Sequence, residues 1–360
     1  MLSFHPLKVA SVERVAEDAA CVTMEVPAAL RDAFAFRAGQ YVTVRRMIGE
    51  REERRTYSIV TPPGHGVLKL GVRAQMGGRM SGELSNKLRA GEWLDVGTPM
   101  GRFHTAISAE REYSYIAFAA GSGITPILSL ATEVLAREPR SRFTLIYGNR
   151  SIARTMFLEE TLALKNRYID RFAVHFVMSR EPQQTEWLNG RIDGAKAREL
   201  ARHMTEIAAA DEYLICGPGD MVDEVRTALK ALNGDAPIRF ERFAAASGAP
   251  LPPLPPAPTA APEPQDVLAT ISLVMDGRHR SFPMVSSDAS VLAAAERAGL
   301  ELPFSCRSGI CATCRARITD GAAVMTHNIA LEPWEIEAGF VLCCQARPTT
   351  RTLAISYDHK

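Results

Sequence analysis

The chain has 360 residues and a formal net charge of +1, with 23% charged and 46% hydrophobic residues. This length predicts two or three compact domains, and the even charge balance argues against binding to nucleic acid. No apolar run is long enough for a signal peptide or a membrane span. We therefore expect a cytoplasmic protein without a membrane partner, in which spaced cysteines bind metal or do redox chemistry.

The first region, residues 1–106, contains short β-type runs such as AACVTMEV and VLKLGVR that are separated by turn residues. This pattern predicts an antiparallel barrel or sandwich. Within it, RRTYS (54–58) offers a cation, an aromatic ring and a hydroxyl, and GGRMS (77–81) precedes a helix-like run. The first stretch could hold an aromatic cofactor and the second its phosphates. An exposed Arg-Tyr strand without a ligand is the alternative interpretation.

The second region, residues 107–243, alternates buried strands with helix-like stretches, which predicts a doubly wound parallel sheet of the α/β class. Two glycine turns, GSGITP (121–126) and CGPG (216–219), each follow a buried strand. Glycine turns at the carboxyl ends of strands in one sheet form the crevice that a nucleotide needs. A plain tight turn and a packing role for Cys216 are the alternatives.

The third region, residues 244–265, reads AAASGAPLPPLPPAPTAAPEPQ and contains eight of the 22 prolines. Such a segment cannot build a core, and it predicts an extended linker with polyproline-like stretches. A long structured loop is the alternative. The linker separates off residues 266–360 as a domain of their own.

The last domain holds five of the seven cysteines. Cys306, Cys311 and Cys314 form a C-x4-C-x2-C loop, and Cys343 and Cys344 follow as an adjacent pair. The spacing is typical of plant-type [2Fe–2S] clusters, whereas zinc is the alternative because C-x2-C pairs often bind it. Neighbours on an extended strand point to opposite faces, so both members of the pair cannot face one cluster.

Taken together, RTYS, GGRMS, GSGITP and CGPG resemble the ferredoxin–NADP reductase family over about residues 4–243. The resemblance implies an antiparallel β-barrel flavin domain followed by a nicotinamide domain. The residues implied for the flavin site are Arg55, Thr56, Tyr57, Ser58, Val72, Arg73, Gly78, Arg79, Met80 and Ser81. Those implied for the nicotinamide side are Gly121, Ser122, Gly123, Thr125, Pro126, Cys216, Gly217 and Pro218. Ser58 and Cys216 would frame the flavin edge that receives the hydride.

The choice of cofactors also follows from the resemblance. The stretch that includes PMGRF (99–103) is similar to the FAD branch, although relatives with this domain order can use FMN. A Ser-Arg pair in plant-type members binds the 2′-phosphate of NADPH, which implies that role for Ser179 and Arg180, with Arg150 as a further cation. An arginine fork suits a phosphate because it can bind two oxygens. NADH is the alternative.

The tail resembles plant-type ferredoxins, which implies an α+β β-grasp fold. In these proteins the last ligand follows Leu-x and precedes Gln, so Cys344 would join Cys306, Cys311 and Cys314, while Cys343 packs. The complete domain order is similar to that of reductase components of multicomponent oxygenases. It implies electron transfer from NADPH through FAD and a [2Fe–2S] cluster to an oxygenase component. A flavoenzyme whose tail is a structural zinc docking module is the alternative.

Overall fold

The computed structural model describes residues 3–243 and 267–359. The predicted linker, residues 244–265, lies outside the described residues. The chain divides into two compact units, one built mainly from residues 4–53 and 57–243 and the other mainly from residues 267–359. In the described part of the chain, no helix is long and apolar enough to cross a membrane.

The first sheet is antiparallel and has six strands in the order β4-β3-β6-β1-β2-β5. In chain order the elements are β1 (Phe4–Ala16), β2 (Ala19–Glu25), β3 (Tyr41–Ile48), β4 (Arg51–Ser58), β5 (Val67–Arg73), α1 (Arg79–Gly82) and β6 (Trp93–Gly97). A bridge between Ile59, directly after β4, and Leu70 of β5 joins the two ends of this order. The sheet therefore closes into the predicted barrel.

The second sheet is parallel and has five strands in the order β11-β10-β7-β8-β9. Its elements are β7 (Ser114–Ala120), α2 (Ile124–Arg137), β8 (Arg142–Asn149), α3 (Leu158–Arg167), β9 (Phe172–Met178), α4 (Gly194–His203), β10 (Glu212–Pro218), α5 (Gly219–Leu232) and β11 (Ile238–Phe243). The strand order reverses between β7 and β10, which makes this the position where doubly wound sheets bind ligands. Both strands are buried along almost their whole length, as expected for central parallel strands.

The barrel and the parallel sheet share one hydrophobic core. They pack tightly at Gly71 of β5, because a Cβ at this position would lie 2.5 Å from Thr125 and 2.7 Å from Phe157. Ser129 of α2 also donates a hydrogen bond to the carbonyl oxygen of Thr61, at 2.9 Å. These contacts hold the start of α2 against the barrel.

The second unit is a mixed five-stranded sheet with the β-grasp order β13-β12-β16-β14-β15. Its elements are β12 (Val267–Met275), β13 (Arg278–Val285), α6 (Val291–Arg297), β14 (Arg315–Met325), α7 (Pro333–Glu337), β15 (Phe340–Leu342) and β16 (Ala346–Ser356). The Ser290 side chain caps α6 by accepting a hydrogen bond from the Ala293 N–H. The cysteine loop connects α6 to β14.

Candidate functional site

Ser58, the last residue of β4, meets the edge strand β11 of the parallel sheet, one strand away from the switch point. Its hydroxyl donates a hydrogen bond to Oε2 of Glu241, at 3.2 Å. Glu241 is paired with Cys216 across β11 and β10. Ser58 is only 5% exposed and Cys216 is fully buried. The structure thus brings the two predicted residues to one place and adds a carboxyl group to them.

Glu241 is a candidate functional residue that sequence reasoning missed. Burial raises the pKa of its carboxyl from 4.5 to about 7, although the hydrogen bond from Ser58 lowers this pKa in part. A carboxyl group with this pKa can hold a proton near neutral pH, as acid–base catalysis requires. Burial also raises the pKa of Cys216 well above its ordinary value, so its thiol stays protonated. No local sequence pattern connects Glu241 with Ser58.

The two predicted glycine turns lie against each other at the switch point. A Cβ on Gly123 would lie 2.1 Å from the carbonyl oxygen of Cys216, so only glycine allows this contact. A Cβ on Gly217 would lie 3.2 Å from the Ala120 side chain, at the end of β7. Gly121 adopts a left-handed conformation, with φ of 55°. Ser122 lies in the first turn, Thr125 and Pro126 lie at the start of α2, and Pro218 is the last residue of β10. The two turns therefore pack against each other at the carboxyl ends of β7 and β10.

Several cations collect at the carboxyl ends of β8 and β9. The backbone N–H groups of Ser179 and Arg180 donate to carbonyl oxygens at the end of β8, both at 2.9 Å. Burial lowers the pKa of Arg150, and the charges of Arg180, Arg154 and Arg73 lower it further. These guanidinium groups are therefore close enough to repel one another, which favours an anion beside them.

The other predicted flavin-site residues lie on β4, on β5, at Gly78 directly before α1 and in α1 itself. Arg55, Thr56 and Tyr57 are half-buried on β4, and Val72 is fully buried on β5.

In α1, Ser81 Oγ accepts a hydrogen bond at 3.0 Å from the Gln75 N–H, which lies before the helix. A Cβ on Gly78 would lie 2.5 Å from this oxygen, so a side chain does not fit there. Met80 is buried, whereas Arg79 is exposed and pairs with Glu53 at 3.5 Å. The start of α1 thus presents an arginine.

The cysteine loop surrounds Cys306 with hydrogen-bond donors. The backbone N–H groups of Ser308, Ile310 and Cys311 each lie 3.4 Å from Cys306 Sγ. A hydrogen bond from the Cys311 thiol and these backbone donors hold the pKa of Cys306 well below its ordinary value. Gly309 has a φ of 75°, and a Cβ there would lie 2.7 Å from the carbonyl oxygen of His327. The loop is thus shaped to stabilise a thiolate.

The adjacent cysteines have different surroundings. A hydrogen bond from the Cys314 thiol lowers the pKa of Cys344, and the Gln345 side chain donates to Cys344 Sγ at 3.7 Å. Cys343 is fully buried in the core, and this burial raises its pKa to about 12. Cys344 therefore faces the cysteine loop, and Cys343 faces the core beside Tyr357.

The thiols form two pairs, Cys306 with Cys311 and Cys314 with Cys344. Across residues 3–243 and 267–359, no three His, Cys, Asp or Glu side chains are arranged to hold one metal ion. Four thiols grouped in two pairs fit a two-iron cluster, in which four cysteines share two metal ions.

Comparison with known proteins gives the same assignment for each part. Residues 6–105 match the family model of an oxidoreductase FAD-binding domain, residues 118–227 an oxidoreductase NAD-binding domain, and residues 273–349 a 2Fe-2S iron-sulfur cluster binding domain. The chain is also 39% identical to a component of the 1,2-phenylacetyl-CoA epoxidase of Escherichia coli (strain K12), over 100% of this chain and 99% of that protein. The chain belongs to the ferredoxin–NADP reductase family. The reductase is thus an oxidoreductase that uses FAD, a nicotinamide nucleotide and a [2Fe–2S] cluster, which confirms FAD over FMN and iron–sulfur over zinc.

Other similar proteins also align along nearly the whole chain. The reductase is 30% identical to the ferredoxin reductase component of 3-ketosteroid-9-alpha-monooxygenase from Rhodococcus rhodochrous, over 98% of this chain and 96% of that protein. Among solved structures, phthalate dioxygenase reductase aligns with a TM-score of 0.56 at 22% identity, over 98% of both chains. This structural likeness confirms the three-part fold.

Proposed function

We propose that the reductase takes a hydride from NADPH and delivers single electrons to an oxygenase component. Bound FAD supplies the chemistry that links hydride uptake to single-electron delivery, since it accepts an electron pair and releases electrons one at a time. The observation that supports the proposal best is the meeting of Ser58, Glu241 and Cys216 beside the switch point. It puts a hydroxyl of the FAD-binding domain beside the end of the NAD-binding sheet.

In this proposal Ser58 and Cys216 line the place where the hydride is transferred. The buried, neutral Cys216 thiol packs against the nicotinamide and helps to exclude water. Glu241 holds a proton at its carboxyl near neutral pH, and the 3.2 Å hydrogen bond provides a route between this carboxyl and Ser58 Oγ. Full reduction of a flavin to its neutral form takes one proton in addition to the hydride, so this route would supply that proton.

The nucleotide and flavin phosphates are assigned to separate groups. Arg150, Ser179 and Arg180 bind the 2′-phosphate of NADPH, which the crowding of positive charge around Arg150 supports. The two glycine turns receive the rest of the nucleotide. Arg55 and the start of α1 at Arg79 hold the FAD phosphates, and Tyr57 and Val72 contact the FAD ring.

Cys306, Cys311, Cys314 and Cys344 are the proposed cluster ligands. The backbone donors around Cys306 and the side-chain donor on Cys344 support this set, because such donors stabilise thiolates that bind iron. The proposed domains are residues 1–106 for FAD, 107–243 for the nucleotide and 266–360 for the cluster, with 244–265 as linker.

The partner is proposed to be the oxygenase component of a phenylacetyl-CoA epoxidase, in the cytoplasm. The full-length identity of 39% to a component of that epoxidase supports this choice over a steroid monooxygenase, for which the identity is 30%. Reconstitution tests the proposal. The purified reductase and NADPH should sustain epoxidation by the oxygenase component of the phenylacetyl-CoA epoxidase and not turnover by a 3-ketosteroid oxygenase. Turnover only with the steroid enzyme would contradict the partner, and faster turnover with NADH would contradict the coenzyme.

A further inference from the structure

Asp18 lies in the turn between β1 and β2, at the junction of the barrel and the parallel sheet. Its carboxylate binds the Arg73 guanidinium at 3.2 Å and also pairs with the Arg154 guanidinium. Arg73 ends β5 of the barrel, whereas Arg154 lies in the segment that follows β8 of the parallel sheet. One carboxylate therefore connects a guanidinium group from each domain.

Backbone hydrogen bonds reinforce this connection. The Arg73 guanidinium donates to the carbonyl oxygen of Arg154 at 2.7 Å, and the Glu17 N–H donates to the carbonyl oxygen of Ala153 at 2.9 Å. The Ala74 N–H donates to the carbonyl oxygen of Asp18 at 2.8 Å. The segment after β8 is thus fixed to the barrel by both side chains and backbone.

The three side chains are largely shielded from solvent. Asp18 is 17% exposed, Arg73 is 15% exposed and Arg154 is 31% exposed. Ion pairs with this degree of burial are screened less by water and salt than exposed pairs, so they can hold a fixed geometry.

The same segment begins with Arg150, a candidate phosphate ligand. The charges of Arg73, Arg154 and Arg180 all act on Arg150, and the Asp18 carboxylate opposes them. Asp18 therefore has two conceivable effects on a nucleotide. It fixes the segment against the barrel, and it also cancels positive charge that would attract a phosphate.

We infer that Asp18 is a positioning residue, which fixes the segment 150–154 against the barrel and so sets the nucleotide at the hydride-transfer distance from the flavin. Hydride transfer requires reacting atoms about 3–3.5 Å apart, and a displacement of about 1 Å can cost about 100-fold in rate. Asp18 acts through Arg154 and Arg73 and contacts neither reacting group. The inference rests on the proposed hydride transfer from NADPH.

The two effects of Asp18 predict opposite results for Asp18→Asn. If positioning dominates, the limiting rate of flavin reduction falls about tenfold with both NADPH and NADH, since the geometry is lost for either nucleotide. If charge dominates, the apparent Kd for NADPH falls, while the limiting rate and the binding of NADH stay unchanged. The second outcome would overturn the inference.

The measurement is anaerobic stopped-flow reduction of the full-length, FAD-loaded protein at varied concentrations of each coenzyme. Asp95→Asn is the matched control, because it removes a carboxylate from the Arg45–Asp95 pair of the barrel, at 3.3 Å, and should react like the wild type. A wild-type flavin that NADPH does not reduce would instead disprove the proposed function itself.

Arg154 provides an independent series should Asp18→Asn lose FAD. Arg154→Lys keeps the charge and should retain most of the limiting rate, whereas Arg154→Gln should lose about tenfold. The double variant Asp18→Asn/Arg154→Gln should be no slower than the slower single variant, because both substitutions break the same ion pair. Losses that multiply in the double variant would show that the residues act separately, and would contradict the inference.

Discussion

The cysteine loop and the hydride site differ in how far along the chain their parts lie. The donors to Cys306 Sγ come from residues two, four and five positions away, whereas the hydrogen bond between Ser58 and Glu241 spans 183 positions. The loop is therefore determined by local backbone conformation, and the hydride site by the packing of two sheets. Loss of a single cysteine ligand should therefore abolish the cluster. Single substitutions in the hydride site should instead lower the rate of flavin reduction by different amounts.

The largest effect is expected for Cys344→Ser. This variant should lose the [2Fe–2S] absorption and the paramagnetic signal of the reduced cluster, because a cluster of this type needs four thiolates. Flavin reduction by NADPH should keep the wild-type rate, since the hydride site does not depend on the loop. Retention of a full cluster would remove Cys344 from the ligand set.

A smaller but still large loss is expected for Glu241→Gln. Removal of the proton-holding carboxyl should slow flavin reduction about 100-fold, within the range for a general acid or base. In the wild type the rate should fall as pH rises through about 7, where the carboxyl loses its proton, and the variant should lack this dependence. Glu25→Gln, at an exposed carboxyl of the barrel, is the control. If Glu241→Gln kept the pH profile of the wild type, Glu241 would not be the group that holds the proton.

The same raised pKa makes a prediction about stability. Because the folded-state pKa of Glu241 lies above its ordinary 4.5, the native state holds the proton more tightly. Its contribution to the free energy of unfolding is complete below pH 4.5 and is lost as pH rises through about 7. Denaturant unfolding at pH 5 and pH 8 should show a smaller pH-dependent loss for Glu241→Gln than for the wild type. If both proteins lost the same stability between pH 5 and pH 8, the pH dependence would come from groups other than Glu241.

Coenzyme preference should change by a moderate amount in Arg180→Ala. Loss of one charged hydrogen bond to a phosphate, worth about 1.5–3 kcal/mol, should lower kcat/KM for NADPH at least about tenfold and leave NADH unaffected. Arg142→Ala, at the opposite end of β8, serves as the control. An equal loss with both coenzymes would show that Arg180 does not bind the 2′-phosphate.

The smallest effect is expected for Cys343→Ser. A buried hydroxyl in place of the thiol should cost about 1 kcal/mol, measured by thermal unfolding, while the cluster spectrum stays intact. The contrast with Cys344→Ser is sharp because the residues are neighbours. Loss of the cluster in Cys343→Ser would reverse the assignment.

The sequence predicts the two sheets because hydrophobic periodicity and glycine turns are local signals, whereas the β-grasp fold is implied by the resemblance of the tail to ferredoxins. It also predicts the cysteine loop, since the spacing of its thiols is itself the pattern. Glu241 and Asp18 could not be found in this way. Asp18 lies 136 positions from Arg154, and only the packing of the barrel on the parallel sheet brings them together. Their burial, which gives each its chemistry, is equally a property of the fold.

Rapid anaerobic mixing with NADPH tests the proposed order of electron transfer most directly. Absorbance follows the flavin, and frozen samples from the same time course report the paramagnetic signal of the reduced cluster. The account predicts that flavin bleaching comes first and that the cluster signal then grows in the wild type and is missing from Cys344→Ser. A cluster that becomes reduced before the flavin, or that stays oxidised while the flavin is fully reduced, would contradict it.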